Sequence, residues 1–142
     1  MTQEDKELLL KDLCARLLYG VIVKYRSQEG EGDVQLWGGN ITYVLQLGHG
    51  WWKECKPYLR PISSMTDEEM DQLFDILRID KDGNDEDWIK INDDLGIKFF
   101  FPTGKWVENV AEAYDYLNSI HIDYRGLIAK GLALEAPEGM YK

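Results

Sequence analysis

The sequence predicts an α+β fold, a curled antiparallel β-sheet with an N-terminal helix and a helical C-terminal part packed on it. Three observations carry this. Residues 21–55 hold short β-branched or alternating runs separated by Gly-rich turns, the pattern of an antiparallel, barrel-like meander. After Pro61 the period changes, and Thr66-Asp67-Glu68-Glu69 is a capping box ahead of a helical stripe. Before the sheet, Leu10, Leu13, Cys14, Leu17 and Leu18 recur at three- and four-residue spacing, so one helix is available to cover a sheet face.

In order, the first helix is expected from Thr2 to Tyr19, capped by Thr2 with Asp5 and stopped by Gly20. Val21 to Arg26 reads as a strand, Ser27 to Asp33 as a turn and Val34 to Trp37 as a second strand. Gly38-Gly39-Asn40 is another turn, and Ile41 to Leu47 is the strongest strand pattern in the chain. Gly48-His49-Gly50 leads to Trp51–Cys55 and then to Lys56–Thr66, where Pro57 and Pro61 hold Tyr58, Leu59 and Arg60 extended. Met70, Leu73, Phe74 and Leu77 form the stripe of the next helix, with Met65 and Met70 as its staple. Asp80 to Asp87 is a charged loop. Trp88–Ile91 and Ile97–Phe101 pair as a hairpin. A third helix starts near Trp106 with the stripe Val107, Val110, Ala111, Tyr114 and Leu117, and a short last helix runs from its cap Asp123 to Gly131. Nothing divides the chain, so residues 1–142 are expected to form one domain, 1–62 as helix plus meander and 63–142 as helix, hairpin and two helices.

The net charge of −10 is lopsided: residues 1–60 carry eight basic and eight acidic side chains, and twelve acids fall between Asp67 and Asp94. Such a surface repels phosphate backbones and disfavours general DNA or RNA binding. It fits solubility, a basic partner protein or nucleic-acid mimicry. No run approaches the roughly 20 apolar residues of a membrane span, and the polar start Met1–Lys6 has no signal-peptide pattern. With only Cys14 and Cys55, reduced buried thiols and a cytoplasmic location are expected.

Catalytic and metal patterns are weak. A calcium loop starting at Asp80 would place Asp85 where Gly is needed and Ile91 where the bidentate Glu is needed. His49, His121, Cys14 and Cys55 lack zinc spacing, and neither histidine stands beside a Ser or Cys in a nucleophile motif. Acid pairs are too numerous to single one out. No metal, no cofactor and no enzymatic activity are expected. Binding is more promising. Arg60 sits on the proline-bracketed stretch and Arg125 in the first turn of the expected last helix, both suited to phosphate. Trp37, Phe99, Phe100 and Phe101 could stack on a base. Against this, an Arg beside Asp123 also suits a structural ion pair, and Phe runs suit a core.

Three segments together carry a resemblance: Leu13-Cys14-Ala15-Arg16-Leu17-Leu18-Tyr19-Gly20-Val21, Lys56 to Met65, and His121-Ile122-Asp123-Tyr124-Arg125-Gly126-Leu127-Ile128-Ala129-Lys130-Gly131-Leu132-Ala133. They resemble a family of small proteins encoded by bacteriophages and mobile elements of gut bacteria. In size and architecture the chain also looks like the phage Thoeris anti-defence sponges. That resemblance implies a homo-oligomer in the host bacterial cytoplasm that sequesters cyclic ADP-ribose isomers, and in some members CBASS cyclic oligonucleotides, without cleaving them. It further implies Arg60 and Arg125 as phosphate ligands, Phe99 as the stacking aromatic and Asn109 as a polar contact. The acidic insert from Asp80 to Asp87 departs from the family pattern. The rival expectation is an acidic interaction protein that mimics nucleic acid or blocks a basic host surface; an enzyme that degrades the signal comes third.

Overall fold

Each end of the first helix is built by the residues that mark it in sequence. α1 (Gln3–Arg16) begins at Thr2, whose Oγ1 accepts the Asp5 N–H at 3.0 Å while the Asp5 carboxylate accepts from the Thr2 N–H. It closes through one 3-10 turn, Leu17–Tyr19, and Gly20 at φ +70°, a left-handed cap that favours glycine. The computed structural model describes residues 1–47, 49–77, 88–92, 96–100 and 107–141, without the side chains of 88–92, 98–100 and 107–109. The loop expected at Asp80–Asp87 lies outside the described residues.

The buried stripe of α1 is not the leucine stripe expected from sequence. Leu9, Asp12, Leu13 and Arg16 face inward, whereas Leu10 is half-buried, Cys14 is exposed and Leu18 is 90% exposed. The helix is rotated because Asp12 and Arg16 neutralise each other, and charges paired in this way can be buried together. Cys55 is the buried thiol, its pKa pushed up to about 12 by burial.

β1 (Ile22–Ser27) and β2 (Gly30–Gln35) form a tight antiparallel hairpin. Residues 30–33, expected in a turn, therefore belong to a strand. β2 is a sheet edge, where glycines and charges are tolerated. The largest correction is α2 (Ile41–Leu45), a short helix where a strand was expected. Its β-branched residues mislead, but Ile41, Val44 and Leu47 are the ones turned inward, a helical spacing. Asn40 closes the turn before it, accepting the Trp37 N–H and donating to the Gln35 carbonyl.

β3 (Trp52–Leu59) takes in Lys56–Leu59, so the first part of the proline-bracketed stretch belongs to the sheet. A register shift between Arg26 and Ser27 lets Trp52 and Cys55, three apart, both point into the core. At Pro57, β3 pairs with β1 on one side, and β6 (Leu134–Glu135) pairs in parallel farther on, at Tyr58 and Leu59. The four-stranded sheet, in the order β2-β1-β3-β6, is mixed and not closed into a barrel.

α3 (Asp67–Leu77) has the expected capping box: Glu69 N–H to Thr66 Oγ1 at 3.1 Å and Thr66 N–H to Glu69 Oε1 at 2.9 Å. β4 (Trp88–Asn92) and β5 (Gly96–Phe100) form the expected hairpin. α4 (Val107–Ser119) buries Ala113, Leu117 and Asn118, while Ala111, expected in its stripe, is exposed. The last helix is absent. Residues 123–131 are successive turns broken by Gly126 (φ +73°) and Gly131 (φ +74°), and the Asp123 carboxylate accepts the N–H groups of Leu127 and Ile128. One core gathers α1, the sheet, α2 and residues 127–133; a second gathers α3, α4, Ile97, Ile62, Ile122 and Tyr124. Segment 121–127 joins them, and it carries the site.

Candidate functional site

Arg60 and Arg125, the two anion ligands expected from sequence, line different cavities. Arg60 is held by its backbone first. Its N–H donates to the His121 carbonyl at 2.8 Å and its carbonyl accepts the Asp123 N–H at 2.9 Å. Its guanidinium then forms a bidentate pair with Glu69 at 2.7 and 2.8 Å and donates to Ser64 Oγ, the Ser64 carbonyl and the Ile120 carbonyl. A guanidinium has five N–H donors, and all five meet acceptors within the protein. The Glu69 hydrogen bonds raise the Arg60 pKa and lower that of Glu69. Arg60, expected from its setting as a phosphate ligand, therefore braces the junction of β3, α3 and α4. A cavity of about 390 Å³ lies beside it, bounded by Pro61, Ser64 and residues 135–139 and 141.

Arg125 opens on a larger cavity of about 580 Å³, between α1, α4, Ile97 and segment 124–125. Its Nε donates to Asp12 Oδ1 at 3.1 Å and its Nη2 to the Tyr124 hydroxyl at 2.9 Å. Asp12 also holds Arg16 bidentately at 2.8 and 3.1 Å, and Arg16 donates to the Ile122 carbonyl. Both guanidiniums lie over the Tyr124 ring, at 5.2 Å for Arg16 and 4.8 Å for Arg125. Tyr114 tilts against that ring with centroids 4.9 Å apart. Lys11, Arg125 and Asp115 are the charged residues among the cavity's lining. Behind it, one Asp12 serves two guanidiniums, and Asp123, whose pKa burial pushes up, is the next carboxylate.

Two buried polar atoms in this neighbourhood have no protein partner: Asn118 Oδ1, on a residue that lines the cavity, and Arg16 Nη1. Buried polar groups are normally satisfied, so hydrogen-bonding capacity is left over here. Two cations, the Tyr114 ring and a carboxamide in one lining suit an anion attached to a flat ring system. Among the described residues, no group of three or more His, Cys, Asp and Glu is placed to hold a metal ion, and no helix is long and apolar enough to cross a membrane.

Sequence reasoning locates Arg125 through its segment, although the helix expected to present it is absent. Phe99 and Asn109 belong to β5 and α4, but their side chains lie outside the described residues. The α4 amide that lines the cavity is Asn118. Lys11, Tyr114 and Asn118 are site residues that sequence reasoning misses. The signal is available: Ala111, Tyr114, Asp115 and Asn118 recur at three- and four-residue spacing, a second face of α4 beside its core stripe.

His121 closes the back of the segment. It has φ +62°, is 6% exposed, and stacks on Tyr141 with centroids 3.6 Å apart. Burial, then the charges of Arg16 and Arg60, pull its pKa from 6.5 to about 4. A histidine depressed in the fold protonates first in the unfolded chain, so stability is lost as pH falls from about 6.5 to about 4. The loss is about 2 kcal/mol after allowance for screening. Thermal melts of His121→Asn, a residue that tolerates positive φ, should be flatter across that window than wild type; parallel curves would refute the assignment.

A scan of protein-family models and searches of curated proteins and solved structures find no match to this chain.

Proposed function

We propose that the protein is a phage anti-defence sponge that binds and sequesters a cyclic nucleotide immune signal without cleaving it. The ligand is a cyclic ADP-ribose isomer, or a cyclic oligonucleotide of the CBASS type, captured by a homo-oligomer in the host cytoplasm. One observation carries the reading: Arg125, fixed by Asp12 and Tyr124, faces a cavity of about 580 Å³ with two tyrosines and Asn118. That volume lies within the usual range of about 300–1,000 Å³ for small-ligand sites. A guanidinium already ordered by its neighbours loses little freedom when it meets a phosphate. Tyr114, half-buried in the lining, offers its ring to a base, and the Asn118 amide, with its Oδ1 unpartnered, lines the same cavity. Capture from a dilute signal needs a nanomolar dissociation constant, about −12 kcal/mol.

The test is incubation of purified protein with cyclic ADP-ribose isomers and cyclic trinucleotides, followed by thermal shift, calorimetry and mass spectrometry after heat release. A raised melting temperature with intact ligand recovered is the expected result. No shift with any of them sinks the reading, and a cleaved product replaces it with an enzyme. Arg125→Ala should weaken binding by about 10- to 100-fold, the loss of one charge-assisted contact. Arg60→Ala should lower the melting temperature and leave affinity unchanged; the opposite pattern would move the ligand to the Arg60 cavity.

A second reading has its own observation. Asp67, Glu68, Asp71 and Asp75 all lie on the exposed side of α3, three of them at four-residue spacing, as a surface aimed at a basic host protein would need. Reversing Asp67, Asp71 and Asp75 to Lys should leave ligand capture intact. If capture persists while anti-defence activity in infected cells disappears, the acidic surface is the functional one.

A further inference from the structure

Asn118 differs from the other polar residues that line the Arg125 cavity. It lies on α4 one turn past Tyr114, so the two side chains are neighbours on one helix face. The residue is only 3% exposed, and its Oδ1 is buried without a hydrogen-bond partner. Its backbone carbonyl, by contrast, accepts the His121 N–H at 3.1 Å. A buried acceptor that lacks a donor is costly, and an apolar side chain of similar shape would carry no such cost. The same lining holds Lys11, Arg125 and the Tyr114 ring. Arg125 uses Nε and Nη2 on Asp12 and Tyr124, and its Nη1 makes no hydrogen bond among the described residues.

We infer that Asn118 sets the base specificity of this cavity: its Oδ1 accepts an N–H from the amino group of a base stacked on Tyr114, while the attached phosphate meets Arg125 and Lys11. The inference rests on the proposed capture of a nucleotide and narrows the ligand to amino-bearing bases such as adenine. The unpartnered atom fixes the sense of the selection. An amide oxygen accepts and cannot donate. A base with a hydrogen in place of the amino group leaves that oxygen unpaired, and a carbonyl there sets two acceptors against each other. One helical turn advances about 5.4 Å, which places the amide beside the edge of a base lying on the Tyr114 ring. In the free protein the oxygen is covered although its residue lines the cavity. The terminal torsion of an Asn side chain is broad, so the amide turns toward a ligand at little cost.

Calorimetry on the intact chain tests this with two probes, adenosine monophosphate and purine riboside monophosphate, which has a hydrogen in place of the amino group. The adenosine probe should bind about tenfold more tightly or better. Asn118→Leu should bring that ratio close to one by weakening the adenosine probe alone. Its melting temperature should be at or above wild type, because no unpaired oxygen is buried. Asn118→Asp keeps the acceptor and should keep the preference, although its added charge weakens both probes. Equal affinities in the wild type mean that the oxygen serves water alone and overturn the inference. It is also overturned by tighter binding of the analogue, by failure of both probes to bind, or by a preference that survives Asn118→Leu. Equal loss of both probes in Asn118→Leu assigns the residue a structural role instead. Titration with cyclic ADP-ribose isomers and cyclic trinucleotides separates the two ideas. Preference for the adenosine probe with no cyclic nucleotide bound removes capture alone, and capture without that preference removes the specificity alone.

Discussion

Asp12→Ala should lower the unfolding free energy by about 3–5 kcal/mol, the range for removing one partner of a buried ion pair. Asp12 and Arg16 are both fully buried, and Arg125 shares the same carboxylate. Without it, the Arg16 guanidinium keeps the Ile122 carbonyl and loses its counter-charge. Arg125 keeps the Tyr124 hydroxyl and loses the contact that fixes its Nε. Urea denaturation should therefore show a large fall in midpoint, and any ligand bound at Arg125 should bind more weakly in the folded fraction. The double variant Asp12→Ala/Arg16→Met is the decisive companion. With the buried charge gone as well, most of the stability should return, because apolar replacement of a buried pair is often neutral. If the double variant is as unstable as the single one, packing of the Asp12 side chain and not its charge is what matters.

The second large effect concerns Gly96. It has φ +91°, and a Cβ there would collide with the Tyr124 carbonyl, while the next residue's N–H, that of Ile97, donates to that carbonyl at 2.9 Å. Gly96→Ala thus meets two obstacles, a conformation that side chains rarely adopt and a backbone atom that cannot step aside. The expected loss is at least about 3 kcal/mol. Gly131→Ala is the comparison, since Gly131 has φ +74° but open space around it; it should lose about 1 kcal/mol. Equal losses would show that the close approach to Tyr124 does not seat the hairpin. The consequence for function follows from Ile97, which lines the Arg125 cavity: a displaced hairpin opens that cavity on one side.

The elements legible in sequence are those stabilised within a few residues. The Thr2–Asp5 and Thr66–Glu69 caps are local hydrogen-bond pairs, and Gly20 stops α1 by its own backbone angle. The β4–β5 hairpin likewise joins neighbours in sequence. Sequence misleads where distant contacts decide. Ile41 to Leu47 has strand-forming side chains, but the core accepts Ile41, Val44 and Leu47 from one direction, and a helix delivers them. Asp123 does cap the N–H groups that follow it, yet Gly126 turns the chain before a helix can grow.

The candidate site divides in the same way. Arg60 and Arg125 stand out as cations in distinctive segments, but sequence does not say which one has donors left for a ligand. Glu69 lies nine residues from Arg60, and the Ile120 carbonyl that completes its shell lies sixty away. Lys11, Tyr114 and Asn118 come from two helices far apart in the chain, and the cavity exists only once α1 and α4 are set beside segment 124–125. By itself the sequence determined the α+β class, the helix caps, the hairpin and the acidic imbalance, because each follows from short-range patterns or from composition. The tertiary structure alone decided that Asp12 and Arg16 go inside, that Arg60 is a brace and that Arg125 faces a cavity. Burial of a charge depends on which partner the fold brings to it.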